Sequence, residues 1–234
     1  MKLTSFLGLA LATSVLTGCG GGGGGGTPAA TGPVTSTLAF PLQSAYRVLI
    51  ANGMSKSFTI SGSCSGSGTK TTSPANTATT FEGAFAFSAT TTGTLSFTNC
   101  TPTSIATTYT SYADTNYDPR GDNSVGVNYG VFLTPLVIPT TVTVGGTAVL
   151  GTETLYTDST KSTPKGRSDV SYVVEADTST TAIINVISKS YNAGGTLTST
   201  EQDRYRITAT GTLTPTTFDI QYSNGSTTHL VLTF

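Results

Sequence analysis

From residue 56 to the last residue, the chain is a series of short segments in which apolar and polar residues alternate. This constrains the fold more than any other feature, because a period of two puts every second side chain on one face of an extended backbone. KSFTISGSC (56–64), GTLSFTNC (93–100), SYVVEAD (171–177), TAIINVISKSY (181–191), DRYRITATGTL (203–213), TFDIQYS (217–223) and HLVLTF (229–234) are examples. Turn residues separate the segments: Gly145-Gly146, Asn192 through Gly195, Thr214-Pro215 and Asn224-Gly225. Successive strands with no helical pattern between them pair antiparallel. The predicted class is all-β: an antiparallel sandwich, or a barrel or half-barrel meander. Threonine makes up roughly a fifth of the chain, far above ordinary usage. Being β-branched and polar, it suits the watered face of such a sheet.

One segment departs from the period. In PLQSAYRVLIANG (41–53), Leu42, Ala45, Tyr46, Leu49 and Ile50 recur at helical spacing, Pro41 suits a helix start and Gly53 a stop. This predicts a short helix over about 41–54 that plugs one end of the β fold. Three strand details are also expected. TFEGAFAFSA (80–89) reads as one strand, with Phe81, Phe85 and Phe87 on one face. SGSGTKTTSPANTATT (65–80) reads as a mobile loop. In the last hairpin, a three-residue loop Ser223-Asn224-Gly225 pairs Phe218 with Leu230, uniting Phe218, Ile220 and Tyr222 with Leu230, Leu232 and Phe234 on the core face.

The first 37 residues have a different character. Lys2 is followed by an uncharged apolar run, Phe6 to Leu16, which is shorter than the roughly 20 residues a bilayer requires. The run ends in Leu16-Thr17-Gly18-Cys19, and Gly20 to Gly26 follow. Leu16 to Cys19 resembles the lipobox of bacterial lipoproteins. That resemblance implies a signal peptide over 1–18, diacylglycerol on the Cys19 thiol and an acylated new amine. Two or three chains anchor stably where one binds marginally. The glycines resemble the tethers of Gram-negative outer-membrane lipoproteins, which implies an outer-membrane address facing the periplasm or the cell surface. Residues 19–37 read as a flexible tether, because glycine has the most backbone freedom to lose on ordering. Residues 38–234 then form a single β domain. The apolar last strand, ending in Phe234, resembles the terminal signal of outer-membrane barrels, but the strands lack lipid-facing aromatic girdles, so Leu230, Leu232 and Phe234 read as core.

Cys64 and Cys100 remain once Cys19 is set aside. In an exported chain with a single histidine, they read as a disulfide rather than a zinc or redox site.

Little in the chain announces chemistry. Without the leader and its Lys2, ten Lys and Arg face 12 Asp and Glu, a formal charge of −2, so no field gathers nucleic acid. In DTNYDPRGDN, Asp114, Asn116, Asp118 and Asp122 stand at positions 1, 3, 5 and 9 of a calcium-type oxygen loop. Pro119 and Val125 replace the glycine and glutamate of the EF-hand pattern, so an Asx-rich surface turn is the competing reading. His229 lies beside an apolar run with no nucleophile elbow. Glu175 with Asp177, and Glu201 with Asp203, are same-strand carboxylates expected in solvent. No catalytic residue or cofactor other than that calcium is predicted. The expected function is a non-enzymatic envelope lipoprotein, held to the membrane through Cys19, that binds a protein or glycan partner. The alternative is a half-barrel carrier of a lipid or other hydrophobic ligand.

Overall fold

A computed structural model describes residues 32–223 and 228–234. The lipobox, Cys19, the glycine run and Asn224-Gly225 lie outside the described residues. The elements, in order, are α1 (Leu42–Asn52), β1 (Met54–Gly62), β2 (Gly66–Thr72), β3 (Thr77–Phe81), β4 (Ala84–Phe97), β5 (Ser104–Ala113), β6 (Pro119–Ser124), β7 (Asn128–Phe132), β8 (Thr147–Tyr156), β9 (Pro164–Ala176), β10 (Thr181–Asn192), β11 (Leu197–Thr208), β12 (Leu213–Tyr222) and β13 (His229–Thr233).

Each strand from β4 to β13 pairs antiparallel with the next, β13 pairs with β1, and β1 with β2. The ring closes where β2 pairs with the second half of β4, from Gly66 opposite Phe97 to Thr72 opposite Thr91. The result is a 12-strand antiparallel barrel in which β3 stands outside the ring, hairpinned to the first half of β4. Closure gives every strand of the ring a partner on both sides, while β3 pairs on one side only.

Period-two alternation continues round the ring. Inward positions carry Phe58, Ile60, Leu95, Val170, Ile184, Phe218 and Leu232, all buried. Outward positions carry hydroxyls and charges. Ser55 and Thr71 bond across β1 and β2 at 2.9 Å, and Thr69 and Thr94 across β2 and β4 at the same distance. On β9–β11 the outer pairs are ionic: Arg204 with Glu175 at 3.1 Å, and Arg206 with Asp177 at 2.7 Å.

A 12-strand ring encloses more space than one layer of side chains fills, and α1 occupies part of it. Its start has no side-chain cap, while Gly53 (φ 67) ends it by donating its N–H to the Leu49 carbonyl. Leu42 and Ala45 are buried against Ile138, Val174, Ala182 and Ile207, and Val48 on the opposite side is exposed. The segment before α1 is fastened as well. Val34 donates its N–H to the Asp177 carbonyl at 3.1 Å, and Phe40, fully buried, bridges to Val142. Residues 34–37, read as tether, therefore lie along the barrel.

The disulfide forms as expected: Cys64 and Cys100 are bonded, with Cα atoms 5.7 Å apart. It clasps the end of β1 to the loop after β4, beside a cluster containing Phe58, Leu95, Phe97, Ile220 and Leu230.

Three local expectations need correction. Residues 65–80 are no loop; they contain β2 and β3. Glycine is needed there for close approach, since a Cβ on Gly68 would lie 2.5 Å from the ring of Phe58, which packs over it. Residues 80–89 are not one strand. Glu82 (φ 51) and Gly83 (φ 75) reverse the chain, so Phe81 pairs with Ala84 and stacks on Tyr112 at 4.2 Å, whereas Phe85 is exposed. In the last hairpin, Phe218 pairs with Leu232 and Ile220 with Leu230, two residues out of the expected register. The apolar sets still share the core face, because a shift of two preserves parity. The longer connection runs to Thr228, whose carbonyl accepts from the N–H of Tyr222.

Candidate functional site

The inward face of the barrel is not uniformly apolar. Lys70 on β2, Asp122 on β6, Glu153 on β8, and Glu201 and Asp203 on β11 are all buried there. Lys70 is fully buried and holds its Nζ 4.7 Å from the centre of the Phe218 ring. Its nearest opposite charges are Asp203 and Glu201, without a hydrogen bond from Nζ to any described residue. Burial pushes the Lys70 ammonium down, and the two carboxyls oppose that. Burial likewise pushes Asp203 up to about 6, against the pull of Lys70 and a hydrogen bond with Glu201. Two carboxyls that hydrogen-bond share a proton, so the trio carries less charge than its formulae suggest.

Placement of Glu201 and Asp203 inside the barrel corrects the expectation that they are solvated. Their strand alternates Ser199, Glu201, Asp203, Tyr205 and Ile207 inward. The apolar Tyr205 and Ile207 on that face were the available signal. Lys70 gave no comparable signal, since its neighbours are glycine, serine and threonine.

Two adjoining cavities, of about 80 and 90 Å³, lie beneath α1. Tyr46, Ile50, Pro119, Leu136, Val170 and Val186 wall both. The first is otherwise aliphatic and aromatic, with Asp203 and Tyr205 as its polar side. Asp203 Oδ1 and the Tyr205 hydroxyl have no hydrogen-bond partner among the described residues, and both residues are almost wholly buried. Burial and then Asp203 push the Tyr205 hydroxyl far above its ordinary range, so it stays a neutral phenol. The second cavity is more polar, with Tyr109, Ser188, Asp122 and Glu153 on its walls. Asp122 accepts from the Asn128 side chain at 3.2 Å. Glu153 lies over Gly130, where a Cβ would sit 2.3 Å from its Oε1.

The loop read as calcium-type is used differently by each member. Asp114 Oδ1 accepts from the N–H groups of Asn116 (2.8 Å) and Asp118 (3.0 Å), an Asx turn. Asp118 faces Arg47 of α1 at 3.6 Å; burial and then Asp114 raise its pKa, and Arg47 opposes them. Asp122 points into the barrel. Among the described residues, no three acidic, histidine or cysteine side chains gather closely enough to hold a metal ion. His229 is half-exposed on the outer face, its Nε2 2.9 Å from Asp219 Oδ1.

No protein-family model, no curated protein and no solved structure matches this chain.

Proposed function

We propose that this is a lipid-anchored envelope protein whose barrel binds a small ligand in its interior and performs no reaction on it. One observation carries the binding reading. Beneath α1, an apolar-walled cavity is lined by Asp203 and Tyr205, whose Oδ1 and hydroxyl have no hydrogen-bond partner among the described residues. Apolar walls with a few convergent polar groups are the usual make-up of a small-molecule site. The anchor rests on Leu16 to Cys19 and on the glycines after it. The hydroxyl- and charge-bearing outer face of the strands supports a barrel that stands in water above the membrane.

The size of the cavities argues against the carrier reading. Pockets for drug-sized ligands measure roughly 300–1,000 Å³, several times either cavity, and an acyl chain needs no less. A glycan or protein partner held on the outer loops is the other reading, and it rests on the Ser/Thr-rich surface alone.

Mass spectrometry of the full chain from an envelope fraction tests the anchor. A diacylglyceryl mass at Cys19 is expected, and Cys19→Ala should leave a soluble, folded protein. An unmodified Cys19, or Cys19→Ala protein still in the membrane fraction, refutes it.

A further inference from the structure

We propose that the cavity beneath α1 binds a small amphipathic amine, with its apolar body against Ile50, Leu136 and Ile184 and its ammonium on Asp203 Oδ1 and the Tyr205 oxygen. The inference rests on the reading of the barrel as a ligand-binding module and adds the chemical class of the ligand.

Three observations point to a cation. The first is the pair of unpartnered atoms. Asp203 is 3% exposed and Tyr205 6%, and both line the aliphatic cavity. A buried polar atom without a partner costs roughly 1–3 kcal/mol, and more when charged, so a donor placed there is favoured. An ammonium donates to both oxygens and has no acceptor to leave unsatisfied.

The second is charge. The buried charged side chains among the described residues are one cation, Lys70, against Asp122, Glu153, Glu201 and Asp203. The groups that bear on Asp203 from the surrounding strands are Lys70 on β2, Glu201 beside it on β11, and the neutral phenols of Tyr109 and Tyr205. Buried acidic side chains outnumber the one buried cation even with a proton shared between Glu201 and Asp203, so an entering anion is disfavoured. A water molecule or a neutral alcohol satisfies hydrogen bonds but adds no positive charge.

The third is size. The adjoining cavities of about 80 and 90 Å³ together exceed the roughly 150 Å³ that holds a benzene. That room suits one ring or a short branched chain, not an acyl tail or a sugar.

Benzylamine, benzyl alcohol and toluene test the inference, since they share a shape and differ in the head group. Their affinities for the full chain are measured by calorimetry at pH 7.5. Benzylamine is expected to bind about ten- to a hundred-fold more tightly than toluene, the range of a buried charge-assisted hydrogen bond. Benzyl alcohol should fall near toluene. Asp203→Asn, which keeps the shape, should bring the amine down to the level of the alcohol, and Tyr205→Phe should weaken it less. If benzyl alcohol matches benzylamine, the cation inference is wrong while the binding reading stands. If Asp203→Asn leaves amine affinity unchanged, the amine binds elsewhere and the assignment is wrong. If none of the three binds the folded protein, the binding reading itself falls. Should Asp203→Asn fail to fold, the ratio of amine to alcohol in the unaltered chain decides the matter.

Discussion

Replacing Lys70 with methionine is the sharpest probe of the barrel's interior. Methionine matches the length of the lysine stem and packs against Phe218, so the change removes a charge more than a volume. What remains is the Glu201–Asp203 carboxyl pair, buried without its cation. Breaking a buried charge pair by removing one partner costs about 3–5 kcal/mol, and that is the loss expected at pH 7.5. The loss should also depend on pH. In the unaltered protein, Asp203 titrates at about 6 when folded and near 3.9 when unfolded. A raised folded pKa means that the native state holds the proton longer, so stability falls as pH rises through that window and levels off above it. Without Lys70, the folded pKa of Asp203 moves higher and the fall continues. A Lys70→Met protein whose Asp203 stays protonated to pH 7.5 loses about 1.4 kcal/mol for each pH unit above the unfolded value. The gap between the two proteins is then about 2 kcal/mol wider at pH 7.5 than at pH 6 or below. Urea unfolding of both proteins at pH 5, 6 and 7.5 measures it. Adding Asp203→Asn to Lys70→Met should abolish the widening. A gap that is constant with pH, or a Lys70→Met protein as stable as its parent at pH 7.5, would show that Lys70 is not the counter-charge of this pair.

Other predictions concern the frame. Cys64→Ser with Cys100→Ser opens a loop with a sequence separation of 36. In the chain-entropy model the bond is worth about 4 kcal/mol, so the urea midpoint of the oxidised protein should drop accordingly, and reductant should have no further effect on the variant. Gly130→Ala drives a methyl into the side chain of Glu153, which is 1% exposed. Overpacking of this kind costs about 1–3 kcal/mol, and Glu153→Ala in the same chain should restore part of it in thermal melts. A chain stopped before Leu230 removes the strand that joins β12 to β1; it should show no cooperative melting transition by circular dichroism.

The frame of the molecule was readable in its residues, and its interior was not. Alternation in segments such as KSFTIS and HLVLTF carries its own face assignment, because burial of one member fixes the parity of the rest. The stripe from Leu42 to Ile50, the stop at Gly53 and the pairing of Cys64 with Cys100 are equally local signals. Closure is different. β2 meets β4 through residues some 20 to 30 positions apart, and β2 contains Gly66, Gly68 and three threonines, a composition shared with loops. The close approach of β4 backbone to Gly66 and Gly68, with the ring of Phe58 over Gly68, explains why a glycine-rich segment is a strand. The site was hidden for a related reason. Carboxylates are almost never buried unless paired, so Glu201 and Asp203 read as solvent-facing, and their partner Lys70 lies more than a hundred residues earlier. The unmatched atoms of Asp203 and Tyr205 become visible only when α1 is seen beside them.

The cost of that interior is itself an argument about function. A buried ion pair is weak evidence for stability, since well-packed apolar replacements of similar volume are often neutral or stabilising by about 1–4 kcal/mol. The lumen wall around the trio already supplies apolar neighbours, Phe218 against Lys70 and Val186 and Ile184 beside the cavity. Apolar side chains at these three inward positions would therefore meet apolar neighbours. Replacing the trio together, Lys70→Met with Glu201→Leu and Asp203→Leu, should give a barrel at least as stable as its parent in urea. If the charges serve ligand recognition, the same protein should lose its preference for benzylamine over toluene. A triple variant that is strongly destabilised would mean that the trio holds the barrel together. A stable one that retains the preference would move the amine site away from Asp203. Stability preserved with selectivity lost is the outcome expected of a site maintained for binding at some expense to the fold.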